Sequence, residues 1–348
     1  MNNSTSLLEY MSGEVWAMDA KQLSAFAGLA RMESTRDLSD ALEKSREHHE
    51  VQAAARVKAV EQVAPRAGAI AVIPIFGGIS KRDSYFSRAF GGASVEVITQ
   101  QFRQALADES VTSICLLIDS PGGSVQGIEE VSAEIYAARK AKPIVAYADG
   151  MAASAAFWIA SAAHEVVATP SADIGSVGVY GLHMSVSRAL DMAGIDITFI
   201  KSGKYKTEGN PYEILSEEAL AAFQSRVDEH YNTFTGALAR HRGTTTGAVK
   251  AGFGEGRTMS AKASLAAGMI DRIEPIDALI KRMSSRSFAA GQGNRALANE
   301  LVTAAMLNAD LPDEAESVVT GDPVAAVEAP PSQLELERRR RRLRLVGV

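Results

Sequence analysis

The run Ile114-Cys115-Leu116-Leu117-Ile118-Asp119-Ser120-Pro121-Gly122-Gly123-Ser124 decides how the chain folds. Five apolar residues in succession suit a buried strand, and the paired glycines after it let the backbone turn tightly and approach another group closely. Beyond the turn, Ile128, Val131 and Ile135 recur at spacings of three and four, the mark of a helix with one apolar face. The order then repeats: a strand candidate at Pro143–Ala148 leads through Asp149-Gly150 into the Ala-rich stretch Met151-Ala152-Ala153-Ser154-Ala155-Ala156-Phe157. Ala69–Phe76, Thr112–Asp119, Glu165–Thr169 and Ile197–Ile200 are further short, β-branched strand candidates bounded by turn residues. Residues 67–283 therefore read as an α/β domain.

Within that zone Leu220, Phe223, Val227, Tyr231, Phe234 and Leu238 form a helical stripe behind a Ser216 N-cap followed by Glu217 and Glu218. The expectation is that this stripe faces the core. Residues 1–66 are weakly apolar around Leu7, Trp16 and Leu23, then charged from Arg36 to Arg66, and read as a helical appendage. Residues 284–348 lose the pattern and end in five consecutive arginines, Arg338 to Arg342. A tail of that kind is a solvated charged segment, or a scaffold or docking segment for an acidic partner.

Composition narrows the function classes. A net charge of −6 gives no overall attraction for nucleic acid, so no nucleic-acid partner is expected. The N-terminus lacks the basic start and apolar core of a signal peptide, and Met151–Ala163 is too short to cross a bilayer. A soluble, cytoplasmic protein without a membrane anchor is expected. The single cysteine, Cys115, sits inside an apolar run and reads as a core residue rather than a nucleophile.

Three segments carry residues suited to peptide hydrolysis, which needs an activated nucleophile, a proton acceptor and backbone donors for the oxyanion. Ser120-Pro121-Gly122-Gly123-Ser124 offers glycine N–H groups to a ligand, and is equally the composition of a plain strand-to-helix turn. Ser154 opens a helix, where unpaired N–H groups favour a developing negative charge, although a packing serine has the same surroundings. Lys201, Lys204 and Lys206 cluster in Ile200-Lys201-Ser202-Gly203-Lys204-Tyr205-Lys206. A lysine serves as base only where burial disfavours its charge.

Together these segments resemble the signal peptide peptidase A family of serine peptidases, with its head-maturation protease branch in tailed bacteriophages. The likeness runs from about Gly68 to Ile273. It implies a crotonase and caseinolytic-protease-like superhelix of stacked strand-turn-helix units. By the same resemblance Ser154 is the nucleophile, Lys206 the general base, and Ser176 of Gly175-Ser176-Val177-Gly178-Val179 its hydrogen-bonding partner. The oxyanion donors implied are Gly123, with Gly122 nearby, and Ala155; many members carry Gly-Gly where this chain has Ala155-Ala156. No metal or cofactor is implied. The resemblance further implies a homo-oligomer that cuts scaffold and capsid-associated polypeptides in the host cytoplasm or procapsid. The alternative within the family is an independent cytoplasmic peptidase that degrades peptides. The rivals beyond it are a Ser-His-Asp enzyme based on His183 or His164, a coenzyme A thioester enzyme on the same fold, and a non-catalytic assembly protein.

Overall fold

The computed structural model describes residues 15–18, 69–82 and 92–285, with single positions at 47, 51, 54, 55, 58 and 288. Glu47, Val51, Ala54, Ala55 and Lys58 are helical or exposed positions of the charged N-terminal zone. The C-terminal tail with Arg338–Arg342 lies outside the described residues.

Two sheets carry the architecture. In chain order the strands are β1 (Val15–Met18), β2 (Ala69–Phe76), β3 (Ile79–Ser80), β4 (Ala93–Ser94), β5 (Val111–Ser120) and β6 (Gly122–Ser124). They continue with β7 (Ile144–Ala153), β8 (Glu165–Ala168), β9 (Asp173–Gly175), β10 (Tyr180–Gly181), β11 (Thr258–Ser260) and β12 (Arg272–Ile273). The larger sheet runs β11-β9-β7-β5-β2, and β8 pairs with both β7 and β12. β2, β5, β7 and β8 are parallel, so their connections must cross over a face, which puts helices there. The smaller sheet runs β10-β1-β6-β3-β4.

The crossover helices are α1 (Val95–Ala107), α2 (Ile128–Ala138) and α3 (Ala155–Ser161). α1 buries Val95, Ile98, Phe102 and Ala105, and α2 buries Ile128, Val131, Ile135 and Ala138, each a stripe at helical spacing. α3 is buried on every side. Its alanines let a helix lie inside the core where larger residues would be excluded. α4 (Ser187–Ala193), α5 (Glu217–Arg242), α6 (Thr246–Gly252), α7 (Ala261–Ala266) and α8 (Ile276–Met283) complete the described chain.

Cys115 is fully buried, and burial pushes its thiol up to about 12, so no thiolate is available there. The buried Glu165 carboxylate is held by Arg282 at 2.7 Å and Arg272 at 3.1 Å, which ties the C-terminal part of the domain to β8.

Two sequence expectations fail. Ile197–Ile200 forms no strand: Ile200 is fully exposed, because a β-branched run without a neighbouring edge has nothing to pair with. The α5 stripe is core only in its second half. Ser216 does cap the helix, accepting from the Ala219 N–H at 3.2 Å, and Phe234 and Leu238 are buried. Leu220 is 55% exposed, and with Phe223 and Val227 it lines a cavity of about 490 Å³ that also touches Val15, Tyr180 and His183.

Phe234 stacks on Trp158 of α3 with ring centroids 4.6 Å apart, both rings buried. Phe234→Ala is expected to lose about 3–5 kcal/mol through the void it leaves, read from urea unfolding followed by circular dichroism.

Candidate active site

Ser154 is delivered by the end of β7, where Ala152 pairs with Ser120 and with Ile174, and Ala153 pairs with Gly175. The Ser154 N–H donates to the Gly175 carbonyl at 2.6 Å, and the chain turns at once into α3. That turn forces Ser154 to φ 55 and ψ −119, a conformation an L-residue adopts only under constraint. Among the described residues the non-glycine positions with positive φ are Ser154, Ser176 and Glu255. Two of these three are the serines singled out from the sequence, and backbone strain of this kind concentrates where geometry serves function.

Ser176 follows directly on Gly175, donates its own N–H to Arg257 at 2.9 Å, and is buried. The Ser154 hydroxyl reaches the Gly178 carbonyl at 3.4 Å. Ser154 is itself fully buried.

The glycine turn lies alongside. The Ser120 hydroxyl donates to Gly77 at 2.6 Å and accepts from the Gly122 N–H at 3.2 Å. Gly122 thus spends its N–H within the turn, and Gly123 lies opposite Ala17 of β1. A methyl group on Gly122 would lie 2.9 Å from both the Ser154 Cβ and the Ala153 carbonyl, so only glycine permits this approach. Ala155 is the first residue of α3, and its N–H has no intrahelical carbonyl to meet.

The lysine segment stands apart. Lys201 donates to Thr207 at 2.9 Å. Lys204 donates to Glu218 at 2.7 Å and to Tyr205 at 2.9 Å, and the hydrogen bond to Glu218 raises its pKa. Both side-chain amino groups are therefore already engaged within the segment. Lys206 is exposed, and among the described residues no hydrogen bond joins it to Ser154 or Ser176. The structure therefore brings Ser154, Ser176, Gly122, Gly123 and Ala155 into one neighbourhood, while Lys206 is exposed and, among the described residues, not hydrogen-bonded to either serine.

The two histidines weighed as bases make other contacts. His164 Nδ1 accepts from the Ile144 N–H at 3.1 Å, and His183 Nε2 meets the Asn210 carbonyl at 3.2 Å. Neither is hydrogen-bonded to Ser154. Sequence reasoning missed β1, which lies against the glycine turn with Trp16 opposite Ser124, Ala17 opposite Gly123 and Met18 opposite Gly122. Its signal was the apolar run Val15-Trp16-Ala17-Met18 between Glu14 and Asp19.

A parallel sheet with the serine at a strand-to-helix turn beside a paired-glycine turn defines the Clp-protease-like class of α/β proteins. Residues 82–175 match the Clp protease family model, and residues 137–288 match that of peptidase family S49. The central zone of this chain is thus similar to peptidase family S49, in keeping with the resemblance in its motifs. Over 204 residues, 59% of the chain, it is 34% identical to the head-tail preconnector protein GP5 of Enterobacteria phage P21, covering 40% of that protein. Over the same length it is 32% identical to the capsid assembly protease C of Escherichia phage lambda, covering 46% of it. It is 30% identical over 211 residues to Protease 4 of Salmonella typhi, covering 33%. The chain thus spans less than half the length of these relatives. No helix among the described residues is long and apolar enough to cross a membrane.

The constraint at Ser154 can be measured. Ser154→Gly is expected to raise stability by about 1 kcal/mol, since glycine adopts the turn without strain, whereas Ser154→Ala gives no such gain. Thermal unfolding of the two variants beside the parent chain checks this.

Proposed function

We propose that the chain is a serine endopeptidase of the Ser-Lys dyad type that cuts scaffold and capsid-associated polypeptides during bacteriophage head maturation. The observation that carries the reading is the strained, helix-opening Ser154 set against the Gly122-Gly123 turn. In this mechanism Ser154 Oγ attacks the scissile carbonyl while Lys206 takes its proton, with Ser176 orienting the lysine. The N–H groups of Gly123 and Ala155 hold the oxyanion. Lys206 then protonates the leaving amine, and water hydrolyses the acyl-enzyme.

The likeness to the phage lambda and P21 proteins supports the role in head assembly, and residues 67–283 are the peptidase zone in this reading. The site of action is then the host cytoplasm, including the assembling procapsid.

The exposure of Lys206 bears on assembly. It lies in the stretch 182–214, which also exposes Met192, Ile195, Ile197, Ile200 and Ile214, while α4 buries none of its residues. So much apolar surface in one stretch supports a homo-oligomer. A second copy on this face would remove Lys206 from water, the desolvation that a lysine base requires.

Ser154→Ala, Lys206→Ala and Lys206→Arg are each expected to lower cleavage of denatured casein by about a thousand-fold or more, with Lys201→Ala close to the parent. An active Lys206→Arg protein would remove the lysine from the mechanism. Replacing Ile197 and Ile200 together by Asp is expected to reduce both the particle mass by light scattering and the activity. A fully active monomer would refute the role of assembly.

A further inference from the structure

β1 sits where nothing in the central zone's own chain path requires a strand. It lies between β6 and β10, antiparallel to both, and these two strands are not bonded to each other. Without β1 the smaller sheet would hold a slot one strand wide, about 10 Å between its walls, bounded by the glycine turn on one side and Tyr180-Gly181 on the other. A slot of that form takes an extended peptide by main-chain pairing.

The register places one particular bond at the nucleophile. The Val125 N–H donates to the Val15 carbonyl at 3.3 Å. Hydrogen-bonded pairs alternate along an antiparallel ladder, so the next such pair is Ala17 with Gly123, and the Gly123 N–H points at the Ala17 carbonyl. That same carbonyl oxygen would overlap a methyl on Gly122, the point from which the Ser154 Cβ is 2.9 Å away. Trp16, Ala17 and Met18 are all buried, so the strand is seated in the slot rather than laid across it. At Ala17 the side chain is a single methyl, the size that a fully enclosed position accepts.

We propose that β1 occupies the substrate's place and that the peptidase cuts its own chain between Ala17 and Met18. The inference rests on the reading of Ser154 as nucleophile. Ser154 Oγ adds to the Ala17 carbonyl carbon as its proton passes to the base, and the bond to the Met18 nitrogen breaks as that nitrogen takes the proton. Water then cleaves the Ala17 ester, which regenerates the hydroxyl and leaves a carboxylate on Ala17. Departure of residues 1–17 frees the slot for another polypeptide, so the cut precedes activity on other substrates.

The test follows purified full-length chain and its Ser154→Ala variant over time by intact mass and N-terminal sequencing, with denatured casein assayed in parallel. The expected result is a new N-terminus at Met18 in the parent chain and none in Ser154→Ala. Ala17→Arg, which forces a guanidinium into the enclosed position, is expected to lose this cut. Should that variant not fold, Met18→Pro, which removes the N–H of the scissile amide, is expected to lose it instead. A parent chain that cleaves casein but keeps residues 1–17 attached overturns the inference and leaves the proposed function standing. A cut elsewhere in the N-terminal zone, or a Met18 terminus in Ser154→Ala, also overturns it. Failure to cut either casein or itself removes the nucleophile reading, and this inference with it.

Discussion

At Gly123 the turn after β5 runs backbone against backbone with Ile79. A methyl group there would lie 2.5 Å from the Ile79 carbonyl carbon and 2.6 Å from its nitrogen. This approach fixes β6 beside β3, where Ile79 pairs with Gly123, while β1 pairs with Gly123 on the other side. Everything around the site is registered from it. Ser120 spans the turn to Gly77, Gly122 comes against Ser154, and β1 takes the remaining edge of β6. A side chain at either glycine would push these layers apart, and the cost would be paid in geometry at Ser154 as well as in stability.

The strain at Ser154 belongs to the same construction. β7 must pair with β5 and β8 along its first part and with β9 along its last residues, then enter α3 within one residue. Only a positive φ turns the chain that sharply, and the surrounding ladders hold it there. The buried alanines of α3 complete the constraint, because a bulkier helix would not reach the β7 terminus. The departure from the family pattern at Ala155-Ala156 is accommodated without loss of burial, since both residues are fully enclosed.

Much of this was legible from the residues. Ala69–Phe76 is a strand with the predicted bounds, and the runs read at 112–119, 143–148 and 165–169 lie on the central parallel strands, although β7 continues through Asp149-Gly150 to Ala153, into the stretch expected to open a helix. Long-range placement was not legible. β3, β4, β6, β9, β10, β11 and β12 have only two or three residues each, too short for periodicity to register, and exist because a neighbour pairs with them. Trp16 looked like part of a separate appendage because its burial depends on β6 and β10, which lie more than a hundred residues away. The α5 stripe was over-read for the opposite reason: helical spacing marks an apolar face but does not say what covers it.

The two halves of the proposed dyad differ in how the single chain supports them. Ser154 stands at the junction of three paired strands and a core helix, so its position follows from the domain's own packing. Lys206 stands in a run of turns between α4 and α5, held by local contacts such as its N–H bond to Gly203 at 3.2 Å. A nucleophile needs rigid placement, and the core supplies it without help. A lysine base needs to be kept from water, and the exposed apolar residues around Lys206 form a surface that the described residues do not cover. The rigid part of the chemistry is therefore built into the fold, and the part that depends on desolvation is left to whatever closes over residues 182–214.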